Sequence, residues 1–186
     1  GGLIASGICK HVLVVGAETI TKVTDYTDRG SCILFGDGAG AAVIRAATDP
    51  TRHFLMGEMG ADGSRPEILL IPAGGSRMPT TAETVEQGGH FIKLQGREVF
   101  KLAVSKLTEL IKCVPKTTDL SLSDIELIIP HQSNIRILET SCRRAGVEVD
   151  KAYANIDRYG NSSAASIPIA MAEAIQEGRL KRGDAC

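Results

Sequence analysis

The sequence predicts an α/β fold in which helices pack in layers against sheet, and three observations carry that expectation. Short continuous apolar runs such as His11-Val12-Leu13-Val14-Val15-Gly16 have the length and composition of strands buried on both faces. Residues 96–113 place Val99, Leu102, Ala103, Leu107 and Leu110 at helical spacing, with Lys106 the one polar intruder. The two patterns alternate along the chain, as they do in mixed layer architectures. With 186 residues, 43% hydrophobic and 23% charged, the chain can bury a sizeable core.

Gly1-Gly2-Leu3-Ile4-Ala5-Ser6-Gly7 reads as the last turn of a helix closed by a glycine. Residues 11–16 form the first strand. Ser31-Cys32-Ile33-Leu34-Phe35-Gly36 and Ala41-Ala42-Val43-Ile44 are two more, joined by a turn at Asp37-Gly38-Ala39-Gly40. Residues 51–89, rich in Gly, Pro and Thr, read as a surface insertion with one apolar strand at Glu67-Ile68-Leu69-Leu70-Ile71. After the helix of residues 96–113, Ser121-Leu122-Ser123-Asp124 caps a turn before a strand at residues 125–129. Residues 134–145 and 164–177 are helices stopped by Gly146 and Gly178. Lys181-Arg182-Gly183-Asp184-Ala185-Cys186 is a turn leading towards another strand. A chain that opens in the last turn of a helix, without an initiator methionine, and stops before a strand reads as an internal piece of a longer protein. No strong internal repeat is visible.

The formal charge of −1 argues against nucleic acid and against binding driven by an anionic membrane surface. No apolar stretch approaches membrane-spanning length, and no basic-then-apolar leader opens the chain. Five scattered cysteines form no CxxC pair, so neither a disulfide framework nor a metal site is indicated, and a reducing intracellular compartment fits. Twenty glycines with no tryptophan point to tight turns and close backbone contacts.

Two polar motifs stand out. Ile128-Ile129-Pro130-His131-Gln132-Ser133-Asn134 ends an apolar run on a histidine, and Tyr159-Gly160-Asn161-Ser162-Ser163-Ala164-Ala165-Ser166 supplies an asparagine. A His and an Asn on separate loops are two members of a Cys-His-Asn type of site. Each has an ordinary reading as well: a histidine after a strand can be a capped or surface residue, and Asn161 can be a turn asparagine or a helix N-cap. The cysteines offer no third member, since Cys9 follows Gly7, Cys32 lies within a strand, Cys113 and Cys142 fall on helices and Cys186 is terminal. Gly36-Asp37-Gly38-Ala39-Gly40 superficially suggests a phosphate cradle, but it joins two strands and opens no helix, against a nucleotide fingerprint. His11, His53 and His90 stand at no metal-ligand spacing and read as structural or exposed.

Taken together, the motifs resemble the β-ketoacyl-acyl-carrier-protein synthase III family of the thiolase fold. The resemblance is carried by Leu13-Val14-Val15-Gly16-Ala17-Glu18, Thr27-Asp28-Arg29-Gly30, Phe35-Gly36-Asp37-Gly38-Ala39-Gly40-Ala41, Gly96-Arg97-Glu98-Val99-Phe100-Lys101 and the two polar motifs, in the family's order. Related enzymes that extend longer acyl chains carry a second histidine where this sequence has Asn161. Plant polyketide synthases of the same fold lack this form of the glycine segment.

The resemblance implies a layered αβαβα architecture, here incomplete. Residues 1–50 would be the end of the N-terminal half, 51–93 a variable connection, and 94–186 most of the C-terminal half. It implies an acyltransferase that begins fatty acid synthesis: a cysteine takes the acyl group of an acyl-CoA, usually acetyl, and the carbanion left by decarboxylation of malonyl-ACP attacks it. His131 and Asn161 match the two family positions that donate, as neutral imidazole N–H and amide N–H, to the oxygen where negative charge develops. Asn134 and Arg136 match the pantetheine tunnel and carrier-protein face, Arg29 the CoA entrance, Phe35 an aromatic near the acyl pocket, and Gly96 and Phe100 tunnel positions. At Arg97 the family often has asparagine. The plain reading of Phe35 and Phe100 is core packing.

The family's cysteine opens a buried helix. Only the tail of that helix matches here, at residues 1–6, and the family's later glycine-rich loop finds no match, so the chain alone is expected to be inactive. The further implications are acyl carrier protein and acyl-CoA as partners, a homodimer, no cofactor, no nucleic acid, no membrane, and a cytoplasmic location (a plastid in a photosynthetic eukaryote). Two alternatives stay open: a synthase III-like acyltransferase with a different primer or acceptor, and a non-catalytic thiolase-fold interaction protein. Uncovered sheet edges and apolar faces are expected to make the isolated chain aggregate.

Overall fold

In the computed structural model, which describes residues 1–49 and 51–186, the one-turn helix α1 (Gly2–Ala5) closes at Gly7 with φ +75°. Strand β1 (His11–Thr19) follows and pairs antiparallel along its whole length with β2 (Asp37–Arg45), from His11↔Arg45 to Thr19↔Asp37. Two-residue strands β3 (Leu69–Leu70) and β4 (Lys93–Leu94) pair with each other around the short helix α2 (Ala82–Glu86), whose N-cap Thr81 and Thr84 form a reciprocal capping box. Then come α3 (Gly96–Thr117), α4 (Ile135–Ala145), the single turn α5 (Ile156–Tyr159) and α6 (Ser166–Gln176).

Residues 125–129 run extended between α3 and α4 and carry the alternation that builds the layers. Leu127 packs with Tyr153, Ala170, Ala174 and Leu180, with Ile129 at the margin, so this side faces α6. Ile128 points the other way, against Ile111, Ala145 and Val147 of the α3–α4 side. Helix α6 packs on β2 with its other side. The order is therefore sheet β1–β2, helix α6, extended ladder, helices α3 and α4. Among the described residues no helix is long and apolar enough to cross a membrane.

The glycines of β1 and β2 explain how α6 comes so close. A Cβ on Gly40 would sit 2.8 Å from Pro168 Cγ, and one on Gly38 would sit 2.8 Å from Ile169 Cδ1. Gly16 and Gly36 are closer still to the backbone carbonyls of Ala164 and Tyr159. These residues are small because residues 159–169 lie directly on them.

Several expectations need correction. The segment 37–40 is the start of β2 and no turn, because its glycines serve contact with α6. Residues 31–34 form turns, with Cys32 N–H donating to Asp28 O, so Cys32 is not in a strand; only Phe35 pairs, as a parallel bridge to Asn161. β1 is not buried on both faces: Leu13, Val15 and Val43 are 65%, 58% and 68% exposed, since α6 and the turn Ser163–Ala165 cover only the opposite face. Residues 125–129 make isolated parallel bridges, Ile125↔Ala185 and Ile128↔Ala152, in place of a continuous strand. The strand expected at 67–71 shortens to β3, because Pro66–Ile68 takes a 3-10 turn. Helix α3 continues past Cys113 to Thr117 despite Pro115. The hydroxyls of Thr117 and Thr118 donate to the carbonyls of Cys113 and Val114 and cap the last turn.

Candidate functional site

His131 stands at the end of the extended ladder, and its loop is anchored from beneath by buried Gln132. The Gln132 amide donates to Pro130 O and Tyr153 O, both at 3.0 Å, and its oxygen accepts from Asn155 N at 3.0 Å. Asn155 in turn donates to Glu173 of α6 at 2.6 Å, and Glu173 also takes Arg158 and Tyr159. Burial opposes the charge on Glu173, but the donors from Asn155, Tyr159 and Arg158 win and hold its pKa at about 2. One polar network thus ties the histidine loop and the asparagine loop to the same helix.

Asn161 is fixed through its backbone: its N–H donates to Leu34 O at 2.7 Å, and its own carbonyl accepts from Gly36 N at 3.0 Å. Its Oδ1 accepts from Ser163 N at 3.1 Å. A backbone N–H can only donate, so the side-chain orientation follows, and the NH2 end is the one available to a ligand. The turn is tight, with Gly160 at φ +65° and Ser163 at φ +50°.

His131 Nδ1 lies 2.6 Å from Ser166 Oγ, and Ser166 also donates to Ser163 O at 2.8 Å. The residue as a whole is exposed. Desolvation of its crowded edge holds the ring's pKa below 6.5, against a hydrogen bond to the Ser163 backbone that raises it. His131 and Asn161 meet at one pocket of about 280 Å³, which Phe35 also lines, with Leu69, Leu70, Ile71 and Ile92 as an apolar wall. Leu69, Leu70 and Ile71 come from the stretch read as a surface insertion, which therefore builds part of the site. His131 also borders a larger, mostly apolar cavity of about 740 Å³ beside α3.

The remaining sequence candidates fall elsewhere. Asn134 is the N-cap of α4, its Oδ1 accepting from Arg136 N at 2.9 Å, and it borders a separate pocket with Ile33 and Leu34. Arg136 is exposed in the first turn of α4, and Arg29 is exposed in the turn before Ser31. Gly96 opens α3 with nothing near the space a Cβ would take, and Phe100 is half-buried on the same helix. None of these five lines the His131–Asn161 pocket. No cysteine lines it either. The Cys142 thiol is pushed up by burial, Cys186 by burial and then Asp184, and Cys113 by its hydrogen bond to Glu58 and then burial. These are the settings of unreactive thiols. Among the described residues no group of three His, Cys, Asp or Glu side chains could hold a metal. Sequence reasoning missed Ser166 as the partner of His131, although it stands in the quoted asparagine motif.

A sheet, a central helix, an extended ladder and an outer helix pair define the class as a thiolase-like layered α/β protein. The comparisons narrow it. Residues 1–63 match the model described as 3-oxoacyl-[acyl-carrier-protein] synthase III, and residues 116–186 match the model of that enzyme's C-terminal part. The chain is 45% identical over 183 residues to β-ketoacyl-[acyl-carrier-protein] synthase III of Natranaerobius thermophilus, covering 97% of this chain and 56% of that protein. It is 46% identical over 181 residues to the protein of the same name from Clostridioides difficile, covering 97% and 55%. The solved synthase III from Aquifex aeolicus superposes with a TM-score of 0.84 at 39% identity, over 98% of this chain and 54% of that one. The Thermus thermophilus structure gives 0.85 at 35%, over 98% and 56%. The chain belongs to the β-ketoacyl-acyl-carrier-protein synthase III family, and spans a little over half the length of the curated relatives it matches.

Proposed function

We propose that this chain carries the decarboxylating half of a condensing site, in a protein that joins the acyl group of an acyl-CoA to malonyl-ACP and so begins fatty acid synthesis. The observation that supports this best is the convergence of His131 and Asn161, from loops 30 residues apart in sequence, on one small pocket with apolar walls. Loss of carbon dioxide from a malonyl thioester leaves negative charge on the thioester oxygen. Two preorganised donors aimed at that oxygen stabilise the enolate where water would have to reorganise to do so. The apolar wall lowers the local dielectric and strengthens both interactions. The Asn161 NH2, held by the Ser163 N–H on its other end, is a donor that needs no rearrangement.

No thiol of the chain lines that pocket, so we assign the acyl-carrying cysteine to none of the five. Asn134, beside a separate pocket, and the exposed Arg136 and Arg29 are proposed as contacts for the carrier protein and CoA, and Gly96 and Phe100 as tunnel positions. Acyl carrier protein, acyl-CoA and a second copy of the chain are the proposed partners. The test is a hybrid in which this chain replaces the matching 55% of the Clostridioides difficile relative. Malonyl-ACP supplied with a panel of acyl-CoA primers should release carbon dioxide and yield β-ketoacyl-ACP. Absence of release with every primer, from a folded hybrid, sinks the proposal.

A further inference from the structure

Between the histidine loop and the asparagine loop lies α5, a single turn of four residues with no side-chain hydrogen bond at its N-cap, Asn155. Its own closing bonds are few. Arg158 N and Tyr159 N donate to Asn155 O at 3.0 and 3.2 Å, and Gly160 N donates to Ile156 O at 2.9 Å. One helical turn is marginal by itself, so its shape is imposed from outside. Both of its ends matter to the site. At the start, the Asn155 N–H donates to the side chain of buried Gln132, the neighbour of His131. At the end, Tyr159 and Gly160 lead directly into Asn161.

Glu173 of α6 holds both ends with one carboxylate. Its Oε2 accepts from Asn155 Nδ2 at 2.6 Å and from Arg158 at 2.8 Å, and its Oε1 accepts from the Tyr159 hydroxyl at 2.7 Å. The carboxylate thus spans α5 from Asn155 to Tyr159, with an acceptor at each oxygen. Ser166 stands two turns earlier on the same face of α6 and contacts His131 and the Ser163 carbonyl. A single helix therefore grips the two loops at two levels, beside the pocket and at the turn that separates them.

We propose that Glu173 is a positioning residue for the reaction: by clamping α5 at both ends it sets the distance between the His131 and Asn161 donors. This rests on the condensing reading for its use and keeps both of its donors. Glu173 does not line the pocket, so it acts through the two loops and not on substrate. Its loss therefore slows the step that needs both donors on one oxygen and leaves substrate affinity nearly unchanged.

Two measurements test it. In the hybrid enzyme, carbon dioxide release from malonyl-ACP is measured per folded molecule. Glu173→Ala should lower kcat by about ten- to a hundredfold, with KM changed by less than about twofold. An unchanged kcat overturns the proposal. The loss should shrink when Asn161→Ala is already present, because no second donor is then left to place. A loss of equal size in both backgrounds marks a general structural role and also overturns it.

The second measurement needs no substrate, and it decides the proposal even if the parent hybrid is inactive, an outcome that sinks the condensing reading alone. The full chain is labelled with 15N at histidine and asparagine, and the side-chain signals of the pair are assigned by their loss in His131→Gln and Asn161→Ala. Glu173→Ala should shift both sets, although Glu173 bonds to neither residue. Ile111→Val, which loosens the α3–α4 core away from this network, should shift neither. Both sets unmoved in Glu173→Ala overturns the proposal. Should that variant fail to fold, Tyr159→Phe decides, since it removes one hydroxyl from a residue 38% exposed. The Asn161 signals should then move and those of His131 stay, and unmoved Asn161 signals overturn the clamp.

Discussion

Gly16→Ala tests the contact on which the site's geometry depends. A Cβ at Gly16 would lie 2.6 Å from Ala164 C and 2.9 Å from Ala165 N, and closer still to the Ala164 carbonyl oxygen. Ordinary contact begins at 3.4 Å, so the turn Ser163–Ala165 must retreat by at least 0.8 Å, and every obstructing atom is backbone. Overpacking of this kind costs about 1–3 kcal/mol. For a chain of this size that is a fall in melting temperature of about 2–12 °C. The same turn links Asn161 to Ser166, so the retreat also separates the two donors, and a misplacement near 1 Å costs about a hundredfold in rate. The assay is thermal or urea unfolding of Gly16→Ala beside Gly96→Ala, where a Cβ meets nothing within 4 Å. The control should be unchanged or slightly more stable. If the two variants unfold within about 0.5 kcal/mol of each other, the turn Ser163–Ala165 does not sit on β1 as described and the reasoning is refuted.

Glu173→Gln should lower stability at pH 7 by about 1.5–3 kcal/mol through its charge-assisted bonds. Because the native pKa is depressed, the wild-type contribution is full above pH 4.5 and drains away towards pH 2, so the variant's acid unfolding curve should be flatter over that window. His131 has the opposite character: burial depresses the pKa of a base, so the unfolded chain binds its proton more readily. His131→Gln should therefore remove a loss of stability that sets in as pH falls through 6.5, visible in urea midpoints between pH 8 and 5. Leu13→Lys with Val43→Thr should reduce self-association in light scattering, because both side chains lie on the uncovered face of β1–β2. Unchanged association would place the sticky surface elsewhere.

Helices were the most legible part of the fold. Gly146 and Gly178 do end their helices at positive φ, and the spacing of residues 96–113 does mark α3. Sequence reading failed where glycine had a second use. In 36–40 glycine usually means a turn, but here it admits a helix against a strand, and that partner lies more than a hundred residues away. Apolar content likewise misled for β1, because a run fit for two covered faces says nothing about which faces are covered. At the site, His131, Asn161 and Phe35 could be found from their motifs. Ser166 and the wall at 69–71 could not, since a hydrogen bond spanning 35 residues and a two-residue strand leave no local pattern.

The central claim is that His131 and Asn161 together stabilise the enolate formed by decarboxylation. Carbon dioxide release from malonyl-ACP by the hybrid enzyme measures it most directly. The account predicts release that falls on the order of a hundredfold or more in His131→Ala and in Asn161→Ala, with far less than additive loss in the double variant. Release that survives both single substitutions undiminished contradicts it.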